Sequence, residues 1–96
     1  MSWNDKNNVF FIGIGGIGMS ALARHMVSLG KSVYGYDKTV STLTSELEDL
    51  GVEIVFDWSC DVIPKSCLMA EDTLVIYTPA IPQEHPQLTY FLSQGF

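Results

Sequence analysis

The chain has little cysteine, few basic residues and no long apolar run. Its two cysteines, Cys60 and Cys67, match the spacing of neither a C-x-x-C redox pair nor a zinc site, so we expect two reduced thiols. The chain has five lysines and arginines and eleven acidic residues, and its net charge of −6 argues against a nucleic-acid binder, which would show a basic face. No apolar run approaches the roughly 18 residues of a membrane span, and no secretory leader is visible. We therefore expect a cytoplasmic protein with neither a membrane nor a nucleic acid as its partner.

The sequence also lacks the usual combinations of catalytic residues. It contains no G-x-x-x-x-G-K-[ST] phosphate loop, no paired nucleophile and base, and no cluster with metal-ligand spacing. Neither His25 nor His85 has a sequence neighbour that would make it a base or a metal ligand. We expect the chain to bind a ligand, with no catalytic residue and no metal of its own.

A glycine-rich motif is the most informative feature that is present. Gly13, Gly15 and Gly18 match G-x-G-x-x-G, with Gly16 as an extra glycine, between an apolar strand and a helix. Asp37 ends the next strand, nineteen residues after Gly18, which is close to the offset of a ribose-binding acid. Such a loop directs backbone N–H groups and a helix N-terminus at a diphosphate. The pattern predicts a nucleotide-linked ligand.

Each residue of the motif has a predicted task. Gly13 allows the tight turn, Gly15 lets the backbone approach the diphosphate, and Gly18 lets the helix pack closely on the strand. Gly16 adds freedom at the helix entry, and Ser20 offers a hydroxyl to a phosphate oxygen. The alternative is a glycine-rich turn without a ligand, but strand, loop, helix and acid together favour the site.

Two further segments follow predicted strands. Asp37 is placed to accept hydrogen bonds from ribose hydroxyls or a base N–H, because ligands bind beyond the carboxyl ends of parallel strands. Its alternative role is to start the turn that continues through Lys38. The loop Thr78–Pro82, which contains Ala80 and Ile81, is either the wall of a nucleoside pocket or a rigid connector.

Alternating strands and helices predict an α/β fold of the Rossmann type. Right-handed crossovers then give a parallel sheet of about four strands in the order 3-2-1-4, with helices on both faces. Residues 1–8 are predicted to be a flexible lead-in and 9–96 the ligand-binding domain. Helical spacing directs Met19, Leu22, Ala23, Met26 and Leu29 inward from the first helix, and Leu43, Leu47 and Leu50 from the second. The predicted strands are 9–12, 32–36, 52–56 and 73–78, and the predicted helices are 17–29, 42–50 and one from Pro86 to Gly95.

Four strands are few for a doubly wound domain. We therefore expect the chain to be a piece of a larger protein with an unpaired sheet edge. An open edge favours pairing between copies of the chain.

At the level of whole segments the chain resembles the muramyl ligase family, and within it the branch that joins L-alanine to UDP-N-acetylmuramate. The resemblance extends from about Asn8 to the end. It rests on the run from Phe11 to Ala23, which contains G-I-G-G-I-G-M-S, and on Leu29-Gly30, Asp37, Leu50-Gly51, Ala80-Ile81 and Pro86. Two departures are Trp58, where the family often has histidine, and a longer segment from Cys60 to Asp72.

The resemblance implies a three-domain enzyme that uses ATP to activate the muramate carboxylate as an acyl phosphate, which L-alanine then attacks. Its N-terminal domain binds the UDP part of the substrate. By this analogy the run from Gly15 to Ser20, with Ile17 and Met19, holds the diphosphate, while Asp37, Thr78, Ala80 and Ile81 hold the uridine. ATP and magnesium are expected for the full-length enzyme, whose Gly-Thr-His-Gly-Lys-Thr loop would lie beyond residue 96. The present chain is expected to bind UDP-N-acetylmuramate without a cofactor and without turnover.

Two other functions remain open from the sequence. One is the NAD-binding half of a dehydrogenase, which needs the same glycine loop and acid. The other is a Rossmann-like interaction module without a ligand. The Pro79-Ala80-Ile81-Pro82 loop favours the ligase, since it matches that family and has no special meaning for nicotinamide.

Overall fold

The computed structural model of the chain describes residues 6–57, 59, 62–68, 72–78, 81–82 and 84–95. Within these ranges no helix has both the length and the apolar character needed to cross a bilayer. The first five residues of the predicted lead-in lie outside the described ranges, as do Trp58, Cys60 and Ala80.

Four parallel strands form one sheet. They are β1 (Asn8–Ile12), β2 (Ser32–Tyr36), β3 (Glu53–Val55) and β4 (Thr73–Ile76), in the order β3-β2-β1-β4. The predicted order 3-2-1-4 is confirmed. The central strand β1 pairs with both β2 and β4, so that Val9 lies opposite Val33 on one side and Leu74 on the other.

Among the described residues, the helical elements are three α-helices and a short 3₁₀ helix, of which the last α-helix follows the last strand. They are α1 (Ile17–Ser28), α2 (Thr42–Asp49), the 3₁₀ helix Lys65–Leu68 and α3 (Pro86–Ser93). A capping box begins α2, in which the Ser41 hydroxyl accepts a hydrogen bond from the Thr44 N–H. Proline at the first turn begins α3, where its missing N–H costs nothing.

The predicted boundaries of the strands and α-helices agree with the structure to within two residues. Two predicted buried side chains lie at helix ends. Leu29 and Leu50 are both 47% exposed, so the prediction that they point inward is wrong. Each is the C-cap residue just beyond its helix, ahead of a glycine with positive φ, and so has left the buried stripe.

The two faces of the sheet carry separate apolar cores. Phe11 and Ile14 pack under α1 and α2, together with Ala23, Met26 and Leu47. Alternate side chains of β1, such as Phe10 and Ile12, point to the opposite face and pack against α3 and the 3₁₀ helix. The prediction of helices on both faces is therefore confirmed.

In the first core, the Ile14 side chain packs closely against the backbone of β2 at Gly35. A Cβ added at Gly35 would lie 2.6 Å from Ile14 Cδ1 and 2.9 Å from Ile14 Cβ. Ile14 is fully buried. We expect Gly35→Ala to reduce the free energy of unfolding by about 1–3 kcal/mol, the usual cost of overpacking a core, in urea denaturation.

Gly18→Ala is the matched control for this measurement. It is the same substitution in α1, where the added Cβ would meet no heavy atom within 4 Å. Helix propensity predicts that this variant gains about 0.5–1 kcal/mol. If Gly35→Ala were as stable as the unsubstituted chain, the close packing of Ile14 on β2 would be refuted.

His85 is a buried histidine at the start of α3. Its ring meets the Tyr36 ring edge-on at a centroid distance of 4.9 Å. Burial lowers the pKa of His85 from its ordinary value of 6.5. The unfolded chain therefore takes up a proton at higher pH than the folded chain does. The stability gained by keeping this ring neutral is present above pH 6.5 and is lost as the pH falls toward the lower, folded-state pKa.

We therefore expect the free energy of unfolding to decrease between about pH 7.5 and about pH 5.5, and His85→Asn to decrease less over that range. Denaturant titrations at several pH values measure the slope. His25→Asn, which removes an exposed histidine on α1, is the control and should keep the slope of the unsubstituted chain. Equal slopes for His85→Asn and the unsubstituted chain would argue against a buried neutral His85.

Candidate functional site

The segments that follow β1, β2 and β4 meet at one edge of the sheet. Because these strands are parallel, their carboxyl ends lie on the same side. Between the segments lies a cleft of about 440 Å³. Most of the predicted site residues lie together around it, namely Gly13, Gly16, Gly18, Met19, Asp37, Thr78 and Ile81.

The first half of the glycine loop is closed by hydrogen bonds within the protein. The N–H groups of Gly13 and Ile14 both donate to the carbonyl oxygen of Tyr36, at 2.7 and 2.9 Å. The Gly16 N–H donates to the Gly13 carbonyl at 3.3 Å. Gly13 has φ +88°, a conformation that glycine adopts without strain. These N–H groups hold the turn and are already engaged.

The first turn of α1 is different. Within the described ranges, the N–H groups of Ile17, Gly18 and Met19 make no hydrogen bond to the protein, and Gly16 supplies no side-chain cap. The first N–H that is satisfied belongs to Ser20, which donates to the Gly16 carbonyl at 2.8 Å. No acidic residue lies in this turn to neutralise the positive end of the helix dipole. The helix therefore presents three open donors, and Gly18 and Met19 border the cleft.

Asp37 contacts two backbone segments at once. Its Oδ1 accepts from the Gly15 N–H at 3.0 Å, and its Oδ2 accepts from the Thr39 N–H at 3.1 Å. A Cβ at Gly15 would lie 3.0 Å from both Cγ and Oδ1 of Asp37. The missing side chain at Gly15 thus makes room for this carboxylate. The contact with Thr39 is the turn-forming role predicted as the alternative, and it coexists with a place on the cleft wall.

The structure changes the interpretation of two other predicted residues. Gly18 has open space where a Cβ would be, so the prediction that it lets the helix pack closely on the strand is wrong. Ser20 is buried, and its hydroxyl donates to the Ile17 carbonyl at 3.0 Å. The Ser20 proton is thus directed into the helix. The Ile17 side chain is 84% exposed, so its contribution to the cleft comes from its backbone.

A second cleft of about 390 Å³ adjoins the first. Gly13, Asp37 and Ile81 border both clefts, and the second is also lined by Tyr36, Lys38, Pro82 and His85. The Ile81 N–H donates to the Thr78 carbonyl at 3.0 Å, which folds the loop after β4 back toward Gly13. Ala80, the remaining predicted residue of that loop, lies outside the described ranges.

Among the side chains of the second cleft, Asp37 and Lys38 carry the charge. Burial raises the pKa of Tyr36, and the nearby charges of Asp37 and Asp57 raise it further. Burial lowers the pKa of His85. Both rings are therefore neutral near pH 7 and form an apolar wall. Sequence reasoning did not select Tyr36, Lys38 or His85, although the first two flank or adjoin the end of β2.

The described side chains contain no group of three or more histidine, cysteine or acidic residues that could hold a metal ion. Cys67 lies in the second core, and burial, followed by the charge of Glu53, raises the pKa of its thiol to about 12. Such a thiol stays protonated and unreactive near neutral pH.

Comparison with known sequences shows which family the chain resembles. The family described as "Mur ligase family, catalytic domain" matches residues 8–96. Among curated relatives, the UDP-N-acetylmuramate–L-alanine ligase of Flavobacterium psychrophilum is 54% identical over all 96 residues, and that of Parabacteroides distasonis is 48% identical. The chain spans only 21% of the length of each of these relatives.

Solved structures agree with the fold. A murein peptide ligase from Psychrobacter arcticus superposes with a TM-score of 0.77 at 27% identity, covering 93% of this chain and 18% of that one. A UDP-N-acetylmuramate:L-alanyl-γ-D-glutamyl-meso-diaminopimelate ligase from Neisseria meningitides gives a TM-score of 0.80 at 20% identity and supports the fold alone. It covers 95% of this chain and 27% of that one. With a family match over nearly its whole length, the chain belongs to the Mur ligase family.

Proposed function

We propose that this chain is the N-terminal domain of a UDP-N-acetylmuramate–L-alanine ligase, an ATP-dependent cytoplasmic enzyme of peptidoglycan synthesis, and that it binds the UDP part of the substrate. The observation that carries the proposal is the row of three open N–H donors at the start of α1, beside a cleft at the carboxyl edge of the sheet. Relatives of that name match the entire chain at about half identity. The domain comprises residues 9–96, with 1–8 as its lead-in.

The diphosphate binds at the first turn of α1. The N–H groups of Ile17, Gly18 and Met19 point out of the helix end, and the helix dipole favours negative charge there. Gly16 and Gly18 leave the approach free of side chains, since a Cβ at Gly18 would meet nothing and one at Gly16 only ordinary contacts. Ser20 supports this turn through its bond to Ile17. The net charge of −6 does not prevent such binding, because the donors act over short distances.

The uridine occupies the second cleft. Asp37 stands between the two clefts, and each of its carboxylate oxygens has a lone pair left for a ribose hydroxyl. Tyr36 and His85 supply an apolar wall on which a base can lie, and Ile81 borders the same cleft. Thr78 lies on the wall of the adjoining first cleft. Ala80 is proposed to belong to the same wall. Gly13 and Gly15 set the position of Asp37 and of the loop.

The chemical step belongs to other parts of the longer protein. The described residues contain no group of three or more histidine, cysteine or acidic residues that could hold a metal ion, and the sequence has no G-K-[ST] loop for ATP. They hold the substrate while ATP and magnesium act elsewhere. The alternative of an NAD-binding half-domain receives no support from the family match. Self-association through the open edge of β4 stays a prediction.

Amide NMR of the 96-residue chain tests the ligand. Addition of UDP-N-acetylmuramate should shift the amide signals of Ile17, Gly18 and Met19, which gain a hydrogen-bond acceptor, and that of Asp37. NAD at the same concentration should leave them in place. Shifts with NAD alone would instead favour the dehydrogenase.

Gly18→Leu tests the position of the diphosphate. The new side chain has room within the protein but extends into the cleft in front of the helix end. We expect the chain to keep its stability and to lose at least about tenfold in affinity for UDP, a penalty of about 1.4 kcal/mol, measured by titration calorimetry.

Ser28→Leu is the control for Gly18→Leu. It places the same side chain at an exposed position on α1, about 15 Å along the helix from the cleft. This variant should bind UDP as the unsubstituted chain does. Undiminished binding by Gly18→Leu would mean that the diphosphate lies elsewhere.

A further inference from the structure

We propose that Asp37 makes the site selective for nucleotide-linked diphosphates by excluding free phosphate anions. The inference rests on the proposed function and concerns the same site. Its starting point is that the carboxylate occupies a donor, the Gly15 N–H, that a bare anion would otherwise use. Asp37 then acts on the ligand in two opposite ways, against the phosphates and in favour of the ribose.

The Gly15 N–H differs from the other N–H groups between Gly13 and Gly16, because its acceptor is a side chain and not a backbone carbonyl. Gly13, Ile14 and Gly16 donate to backbone carbonyls that define the turn. Gly15 instead donates to a side chain from another strand, at 3.0 Å. In the absence of Asp37, this N–H would add a fourth donor to those of Ile17, Gly18 and Met19.

Asp37 also places a full negative charge on the wall of the cleft. It is half-buried, so solvent screens its field less than that of a surface acid. Asp37 repels a free pyrophosphate and forms no hydrogen bond with it. A ligand that carries a ribose is repelled in the same way, but its hydroxyls donate hydrogen bonds to the carboxylate. These hydrogen bonds are strong because the acceptor is ionised. The selectivity is the difference between these two cases.

The backbone around Asp37 fixes the carboxylate in this position. Thr39 holds Oδ2, Gly15 holds Oδ1, and the Asp37 N–H donates to the Val55 carbonyl at 3.2 Å. Gly15 permits the approach because any side chain there would meet the carboxylate. The hydrogen bond between Gly15 and Asp37 therefore joins the glycine loop to the acid at the end of β2.

Titration calorimetry with inorganic pyrophosphate and with UDP, without magnesium and at constant ionic strength, tests the proposal. Asp37→Ala should bind pyrophosphate on the order of tenfold more tightly than the unsubstituted chain, because it frees a donor and removes a charge. The same variant should bind UDP more weakly. Asp37→Asn should gain less for pyrophosphate, since its amide oxygen can still accept from Gly15.

Glu48→Gln is the control for net charge. It removes one negative charge from an exposed position on α2, away from both clefts, and should change neither affinity. The proposal is overturned if Asp37→Ala gains nothing for pyrophosphate, if Glu48→Gln gains as much, if no variant binds pyrophosphate, or if UDP also binds Asp37→Ala more tightly. Should Asp37→Ala disturb the amide exchange of α1, the comparison of Asp37→Asn with the unsubstituted chain decides the matter. Failure of the unsubstituted chain to bind UDP would count against the proposed function, whereas the pyrophosphate series addresses Asp37 separately.

Discussion

The parallel pairing of β1 with its two neighbours is the constraint on which the rest of this structure depends. Because β2 and β4 run in the same direction as β1, the glycine loop, Asp37 and the loop after β4 are brought to one edge although they are far apart in sequence. As the central strand, β1 has every side chain from Val9 to Ile12 buried. Alternate side chains of this strand belong to the two cores on opposite faces of the sheet. The strand that stabilises the fold thus also assembles the site.

Close backbone approaches then give the site its detail. The absence of a side chain at Gly35 leaves room for Ile14, and its absence at Gly15 leaves room for the Asp37 carboxylate. At Gly13, where φ is positive, a Cβ would also meet the Ile81 side chain at 3.1 Å. At these glycines, protein atoms lie close to the position that a Cβ would take, whereas a Cβ at Gly18 would lie in open space. Within the motif, a Cβ at Gly13 or Gly15 would meet protein atoms tightly, whereas one at Gly16 would make only ordinary contacts and one at Gly18 would meet none.

The sequence was sufficient for the fold because its signals are local. Apolar runs, helical spacing and Gly30 and Gly51 after the first two helices predict the elements, and right-handed crossovers leave one simple strand order. The same periodicity failed for Leu29 and Leu50, because a repeat cannot show that a helix ends one residue earlier. Asp37 and the glycine loop were predicted together from a motif whose spacing encodes one βαβ unit.

Side-chain partners across the sheet edge were beyond the same reasoning. Nothing in the sequence indicates that His85 packs on Tyr36 or that Gly15 donates to Asp37. These contacts depend on how the segments that follow different strands are positioned relative to one another. The predicted role of Gly18 failed for a related reason, because the motif gives spacing but does not say which glycine lies under the strand and which faces solvent.

An acidic chain that binds an anion must concentrate its attraction in a small volume. The three open donors of α1 do this, since a helix end acts mainly within its first turn and distant acids are screened beyond about 8–10 Å. An acid inside that volume is close enough to repel a bound anion. On the proposed function, the placement of Asp37 at the junction of the two clefts sets a local repulsion against a local attraction, so that a bound ligand would have to satisfy both. The proposed selectivity would then follow from geometry at one carboxylate, and the net charge of the protein would have little part in it.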